Sequence, residues 1–268
     1  MVQISMISFN TPKQFWLFSL IFLSACGSGS SNTKVPQSNT SESPTPITQN
    51  NIEDNYNIII YGNSHSSQLG RIIEHIIENQ YPDKSVQTTT VSGPFLDNIV
   101  SIRANVDKLK NKNLSHAIFQ GQKYSQSGLT TYPTDAAEHL ISSAKAQNIT
   151  PILFPEHPQR GNPEEGQRVY DLHLSISAKQ PSCVAPIGLV WNRLLVLMPN
   201  AKLHMDDGNH ASYAGNVLTA MTFSEIITSR PADIMKFDPT INLSKQEQAL
   251  FGQVVTEVLN LYPACGVS

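Results

Sequence analysis

The chain has 268 residues and a formal net charge of −3, and its Lys and Arg residues form no basic run. It therefore lacks the basic patch that marks nucleic-acid-binding domains, and no nucleic-acid partner is expected. The length suits one large domain or two small ones, and no break in composition after residue 55 divides the rest of the chain.

Residues 1–25 predict a secretory signal peptide. Their apolar run, residues 15–25, is too short to span a bilayer but has the length of a signal-peptide core. It ends in small residues followed by Cys26, which resembles the lipobox of bacterial lipoproteins, whose cysteine carries lipid. The resemblance implies an extracytoplasmic protein anchored to a bacterial membrane through Cys26. The alternative is a buried N-terminal helix with an incidental cysteine.

Residues 26–55 are rich in Ser, Thr and Asn and contain three prolines. So few apolar side chains cannot offset the entropy lost on ordering, which predicts a disordered tether. The folded domain is expected to comprise residues 56–268.

Strands and helices alternate along this predicted domain. Alternation with helices of this length indicates βαβ units and a parallel sheet covered on both faces. In such sheets function lies at the carboxyl ends of the strands. The predicted strands are 56–61, 85–91, 117–120 and 149–154, and the predicted helices are 66–80, 96–109, 134–147, 164–179, 187–197, 211–228 and 245–261.

Ser64 directly follows the first predicted strand and precedes the first predicted helix. Its hydroxyl is expected at the carboxyl edge of the strand, and its backbone N–H at the positive end of the helix. These two groups suit a nucleophile that also stabilises an oxyanion. The alternative is that Ser64 or Ser66 only caps the helix.

Asp207 and His210 precede the last core helix and are three residues apart, so one turn can present both on the same side. A serine nucleophile needs a base, and the base needs a carboxylate that fixes its tautomer. Taken alone, D-x-x-H also fits a solvated loop or half of a metal site. Together with Ser64 it completes a triad.

The segment Gly62-Asn63-Ser64-His65-Ser66 resembles the G-D-S-x-S block of the SGNH/GDSL hydrolases, with Asn63 in place of aspartate as in a G-N-S variant subgroup. The segment Asp207-Gly208-Asn209-His210 resembles the last block of that family. The resemblance implies an α/β fold of three layers, α/β/α, with a flavodoxin-like parallel sheet. It also implies the hydrolysis of esters, often O-acyl groups on carbohydrates or lipids.

In that family the serine N–H, a glycine after the second strand and an asparagine after the third form the oxyanion hole. The resemblance gives these roles to Ser64 and Gly93, but no asparagine follows the third predicted strand. If the chain stays extended beyond Gln120, alternate residues share one side, and Gln122 is predicted to supply the missing amide N–H.

The remaining candidates are less specific. The histidines show no H-x-x-x-H or Cys/His spacing, so neither a metal nor another cofactor is predicted. Cys183 and Cys265 permit one disulfide, with two separate thiols as the alternative. Glu156 and His157 follow the fourth predicted strand and could face the cleft, whereas His65 could line the pocket or be an exposed turn residue.

Two functions from different classes are consistent with these patterns. The first is a serine esterase acting on a small-molecule or glycan O-acyl ester. The second is a non-catalytic binding lipoprotein on a degenerate hydrolase scaffold, since a fold does not determine a function. A purely structural envelope lipoprotein would leave the triad as coincidence.

Overall fold

A computed structural model describes residues 55–266 of the chain. The predicted signal peptide, Cys26 and the predicted tether up to residue 54 lie outside the described residues. Asn55, predicted as the last tether residue, is the first residue of a strand. None of the helices within residues 55–266 is long and apolar enough to cross a bilayer.

Five parallel strands form the sheet, in the spatial order β2-β1-β3-β4-β5. This is the flavodoxin-like order, with its switch point between β1 and β3. The prediction of an α/β fold with a flavodoxin-like parallel sheet is confirmed. The strands are β1 Asn55–Gly62, β2 Ser85–Ser92, β3 His116–Gln120, β4 Thr150–Phe154 and β5 Cys183–Val184.

Helices cover both faces of the sheet. They are α1 Leu69–Gln80, α2 Leu96–Val100, α3 Arg103–Asp107, α4 Asp135–Lys145, α5 Pro163–Lys179, α6 Ile187–Leu197, α7 Tyr213–Thr228 and α8 Lys245–Leu261. The predicted helix 96–109 is divided into α2 and α3, because Ile102 has an extended backbone and the Ser101 hydroxyl bonds to Asn98 O. The two-residue strand β5 is too short to show a sequence period and was not predicted.

The central strand β1 divides the interior into two cores. Ile58 and Ile60 pack with buried residues of α1, α6, α7 and α8. Ile59 and Tyr61 face the other way, toward buried residues of α2, α4 and α5. Alternate residues of a strand point to opposite faces, which explains why β1 is apolar almost throughout.

Close packing and a disulfide hold the last part of the domain in place. A Cβ at Gly215, in the first turn of α7, would overlap Leu203 O and lie 2.5 Å from Trp191 Cη2. Cys183 in β5 forms a disulfide with Cys265, so the two cysteines are paired and are not separate thiols. Val184 also donates its N–H to Ala264 O at 2.7 Å, so the C-terminal segment covers the edge strand.

Candidate active site

The side chains singled out by the sequence gather at the carboxyl edge of the sheet. Ser64 follows β1, Gly93 follows β2, Gln122 follows β3 and Glu156 follows β4. The β1–β3 switch point lies among them, which is where crevices open in sheets of this topology. The candidate site is therefore built by loops on a rigid sheet.

Ser64 lies on a short 3-10 turn, Ser64–Ser66, and is exposed. Asn63 begins this turn, and its Oδ1 accepts the His65 N–H at 3.0 Å. A Cβ at Gly62 would overlap Gln120 Oε1 and Ser66 Oγ, so this tight approach requires glycine. Helix α1 begins only at Leu69, so the prediction that Ser64 lies at the positive end of that helix is wrong.

Ser64, His210 and Asp207 are joined by hydrogen bonds. Ser64 Oγ lies 2.9 Å from His210 Nε2, and His210 Nδ1 lies 2.6 Å from Asp207 Oδ2. A carboxylate only accepts, so Nδ1 carries the hydrogen and Nε2 keeps its lone pair for the serine hydroxyl. The structure thus brings the three predicted residues together, with the hydroxyl, the imidazole and the carboxylate joined in that order.

Several donors hold Asp207 in its ionised form. Its Oδ1 accepts the backbone N–H groups of Asn209 and His210 at 2.9 and 3.0 Å. The hydrogen bond from the His210 ring, followed by these two backbone bonds, holds the pKa of Asp207 below its usual range. The side chains of His210 and Asp207 are 36% and 48% exposed, so the site opens to solvent.

Asn63, where the resembling family has aspartate, uses its amide nitrogen. Nδ2 donates to Pro94 O at 3.2 Å and thereby ties the turn of Ser64 to the loop after β2. An ionised aspartate has no hydrogen to donate to a carbonyl. The departure from the family pattern is therefore matched by a contact that only the amide makes.

Gly93 does not present its N–H to the site. That N–H donates to Gly62 O at 3.0 Å and continues the ladder between β1 and β2. A Cβ at Gly93 would lie 2.6 Å from Ile99 Cγ1, so close packing against α2 requires the glycine. The prediction of Gly93 as an oxyanion donor is contradicted by this bond.

Gln122 is also turned away from the predicted role. Its Nε2 donates to Pro133 O at 2.8 Å and to Lys123 O at 3.1 Å, which uses both amide hydrogens. The extended continuation assumed for this segment fails at Gly121, whose φ of +94° turns the chain. Of the three predicted donors, only the Ser64 N–H has no acceptor within residues 55–266.

The sequence did not predict the contacts that Gln120 and Arg160 make, and it left the role of Glu156 open. Gln120 is buried, accepts the Asn63 N–H at 2.7 Å and donates to Glu156. Arg160 donates through its guanidinium to the carbonyls of the loop before Asp207. The available signal was that Gln120 ends β3 and Arg160 follows β4, but residue type alone did not distinguish them from ordinary residues at strand ends.

Stacked rings lie beside the candidate triad. The His65 ring stacks on His210, with centroids 4.8 Å apart and an interplanar angle of 16°. His157 stacks on Trp191 at 3.9 Å, and burial lowers the pKa of His157 to about 3. His65 is therefore part of the site and not an exposed turn residue, while Trp191 belongs to the core.

A groove near the loop before Asp207 does not include the candidate triad. Among the described residues, no group of three His, Cys, Asp or Glu side chains could hold a metal ion. A groove of about 630 Å³ lies on the outer side of the loop before Asp207, lined by Arg160, Leu195 and Lys202 among others. Neither Ser64, Asp207 nor His210 lines this groove.

The fold resembles that of two solved bacterial proteins, one of them a candidate hydrolase. A candidate SGNH hydrolase from Slackia heliotrinireducens matches with a TM-score of 0.51 and 18% identity, over 65% of this chain and 99% of that one. A DUF4886 family protein from Bacteroides uniformis matches with a TM-score of 0.64 and 12% identity, over 80% of this chain and 98% of that one. No protein-family model and no curated protein matches the chain. These likenesses show the three-layer α/β/α fold of the SGNH hydrolases.

Proposed function

We propose that the protein is a serine esterase that hydrolyses O-acyl esters through Ser64, His210 and Asp207. The observation that carries the proposal is the unbroken pair of hydrogen bonds, 2.9 Å from Ser64 Oγ to His210 Nε2 and 2.6 Å from His210 Nδ1 to Asp207. This arrangement meets the geometric requirement for activating a serine at neutral pH.

In the proposed reaction Ser64 Oγ attacks the ester carbonyl carbon and passes its proton to His210 Nε2. The Ser64 N–H donates to the resulting oxyanion. Collapse breaks the bond to the alcohol, which leaves with the proton from His210, and the acyl group stays on Ser64. Water then attacks the acyl carbon, gives its proton to His210, and the acid is released as Ser64 regains a proton. Asp207 stabilises the imidazolium in both halves.

The substrate class that we propose is an O-acyl ester carried by a small molecule or a glycan. The exposed Ser64 and the partly exposed His210 and Asp207 support it, because an open site can accept an acyl group attached to a larger molecule. The candidate SGNH hydrolase from Slackia heliotrinireducens shares the fold, which supports a hydrolase at the level of architecture.

The second candidate is a binding protein without catalysis. The observation that favours it is that the Gly93 N–H and both Gln122 amide hydrogens are already bonded to carbonyls, which leaves one of the predicted donors for an oxyanion. Losing a single donor of this kind costs roughly 10²–10³ in kcat.

Labelling with a fluorophosphonate probe separates the two candidates. The esterase predicts a covalent adduct on the wild type that is lost in Ser64→Ala and kept in Ser175→Ala, a change at an exposed serine of α5. Loss of hydrolysis of a short-chain nitrophenyl ester should accompany loss of labelling. A wild-type protein that binds acylated glycans but neither labels nor hydrolyses would establish the second candidate.

We propose further that lipid on Cys26 anchors the protein to a bacterial membrane. The lipobox resemblance and the polar composition of residues 26–55 support this. Cys26→Ser should accumulate an unprocessed precursor and release the protein from the membrane fraction. Equal membrane partition and equal gel mobility of the two forms would contradict the proposal.

A further inference from the structure

The segment Glu156–Arg160, here called the β4 loop, contacts both halves of the candidate site. We infer that the β4 loop is the positioning element of the site, with Glu156 holding the turn of Ser64 and Arg160 holding the loop of Asp207 and His210. The inference rests on the proposed function and adds residues that neither sequence motif contains.

On the nucleophile side, Glu156 acts through Gln120. Glu156 Oε1 accepts a hydrogen bond from Gln120 Nε2, and Gln120 Oε1 accepts the Asn63 N–H at 2.7 Å. Gln120 is fully buried, so water cannot substitute for either partner. The carboxylate thereby fixes which way the Gln120 amide points, and the amide fixes the backbone directly before Ser64.

Glu156 also faces the ring that packs against the base. Its Oε2 lies 3.8 Å from His65 Nε2 and accepts the Tyr124 hydroxyl at 3.3 Å. Burial lowers the pKa of His65, so a neutral imidazole stacks on His210. A flat neutral ring restricts rotation of the His210 ring without placing a second cation beside the imidazolium.

On the acid–base side, the β4 loop holds residues 204–209 by hydrogen bonds. Arg160 donates its backbone N–H to Gly208 O at 2.8 Å, and its guanidinium to the carbonyls of His204, Met205 and Asp206. The turn that presents Asp207 and His210 is neither helix nor strand. Bonds from the planar guanidinium therefore replace the support that a regular element would give.

Two neighbours of Arg160 complete the contact by reaching Asn209. His157 Nε2 donates to Asn209 O at 2.9 Å, and Gln159 Nε2 donates to Asn209 Oδ1 at 3.2 Å. Three side chains of the β4 loop, those of His157, Gln159 and Arg160, thus bond to the same turn. A displacement of about 1 Å at a reacting group can cost roughly 10² in rate, so loosening these bonds should be visible in kinetics.

The test compares three substitutions with two control substitutions. Glu156→Ala and Arg160→Ala should each lower kcat for a nitrophenyl ester by roughly 10–10² while KM changes little. Glu156→Gln should recover most of the rate, because a glutamine oxygen still accepts from Gln120. Glu164→Ala and Arg71→Ala, at exposed positions, should match the wild type in rate and melting temperature.

A second readout does not depend on hydrolysis. In protein labelled with ¹⁵N-histidine, the His210 Nδ1–H resonance, assigned with His210→Gln, should be sharp in the wild type and broadened in Arg160→Ala. If the wild type neither labels nor hydrolyses, the proposed function fails while this signal still tests the positioning. Variants that keep both the rate and the His210 resonance, or that lose rate only in proportion to melting temperature, overturn the inference.

Discussion

The acid–base half of the candidate site and its oxyanion half differ in what holds them. His210 bonds to Asp207 on one side and to Ser64 on the other, and the β4 loop bonds to the turn that carries His210 and Asp207. In the oxyanion half, the Ser64 N–H has no acceptor within residues 55–266, while the N–H groups of Gly93 and Gln122 bond to carbonyls of the fold. The groups of the proposed proton transfer are thus already hydrogen-bonded to one another, whereas the proposed stabilisation of the oxyanion has one identified donor.

The largest effect is expected where the two halves meet. Ser64→Ala and His210→Ala should each lower hydrolysis by roughly 10⁴ or more, and the double variant should be no worse than either, because the residues act as one unit. Steady-state kinetics with melting temperatures checks this. If Ser64→Ala kept a residual rate and the added His210→Ala abolished it, the nucleophile would be a different residue. Ser64 would then not join the two halves.

A somewhat smaller loss is expected at the carboxylate. Asp207→Asn should lower kcat by roughly 10²–10⁴, because the amide no longer fixes the Nδ1–H tautomer of His210. Asp206→Asn is the matched control, since the structure uses the carbonyl of Asp206, not its carboxylate, toward Arg160. Parallel kcat measurements on the two variants decide the register of the motif. A larger loss in Asp206→Asn would place the orienting carboxylate one residue earlier.

The acid–base half could be predicted from the sequence, whereas the oxyanion half could not. Ser64 directly follows a strand and His210 is three residues after Asp207, so local spacing was sufficient to bring them to one edge. The helices Ile187–Leu197 and Lys245–Leu261 agree with their predicted bounds, because their apolar spacing is regular over eleven or more residues.

The roles of Gly93 and Gln122 could not be predicted in this way. They depend on which way a backbone N–H or an amide points after a strand ends, and Gly121 reverses the extended course assumed for Gln122. The side chains of Gln120 and Arg160 act across 57 and 44 or more residues of sequence. No local pattern encodes a partner at that separation.

Substitution of Gln122 or Gly93, in the oxyanion half, should lower the stability of the protein and leave its catalytic rate nearly unchanged. Gln122→Ala removes a buried amide that satisfies the carbonyls of Pro133 and Lys123, so the free energy of unfolding should fall by about 1–3 kcal/mol. Below the unfolding transition its kcat should stay within about threefold of the wild type, far from the roughly 10²–10³ loss expected of an oxyanion donor.

Gly93→Ala provides the companion measurement. Its added Cβ would lie 2.6 Å from Ile99 Cγ1, so overpacking should cost about 1–3 kcal/mol of unfolding free energy. Urea unfolding of both variants, beside single-turnover rates, separates the two kinds of effect. A drop in kcat without a drop in stability for Gln122→Ala would show that its amide turns toward the substrate during the reaction, and the contrast between the halves would disappear.

The smallest predicted effect concerns acid sensitivity of the acid–base half. Burial, as the main cause, lowers the pKa of His157 to about 3, below the value of about 6.5 that applies in the unfolded chain. In the window between these values the unfolded state binds a proton that the folded state lacks. The contribution of His157 to the free energy of unfolding is therefore fully present above about pH 6.5. It is lost as the pH falls, by about 1.4 kcal/mol per pH unit.

At pH 5 this linkage limits the contribution of His157 to about 2 kcal/mol. His157→Gln keeps an N–H donor for Asn209 but has no imidazole to protonate, so it should lose less stability than the wild type between pH 7 and pH 5. His139→Gln, at an exposed position of α4, is the matched control and should keep the wild-type difference. Urea unfolding at pH 7 and at pH 5 measures this difference in stability.

Because His157 reaches Asn209 from the β4 loop, hydrogen exchange should rise on acidification around residues 204–210 before it rises around Gly93. Equal acceleration at both places would show that the two halves open together, and that the acid–base half is not held separately.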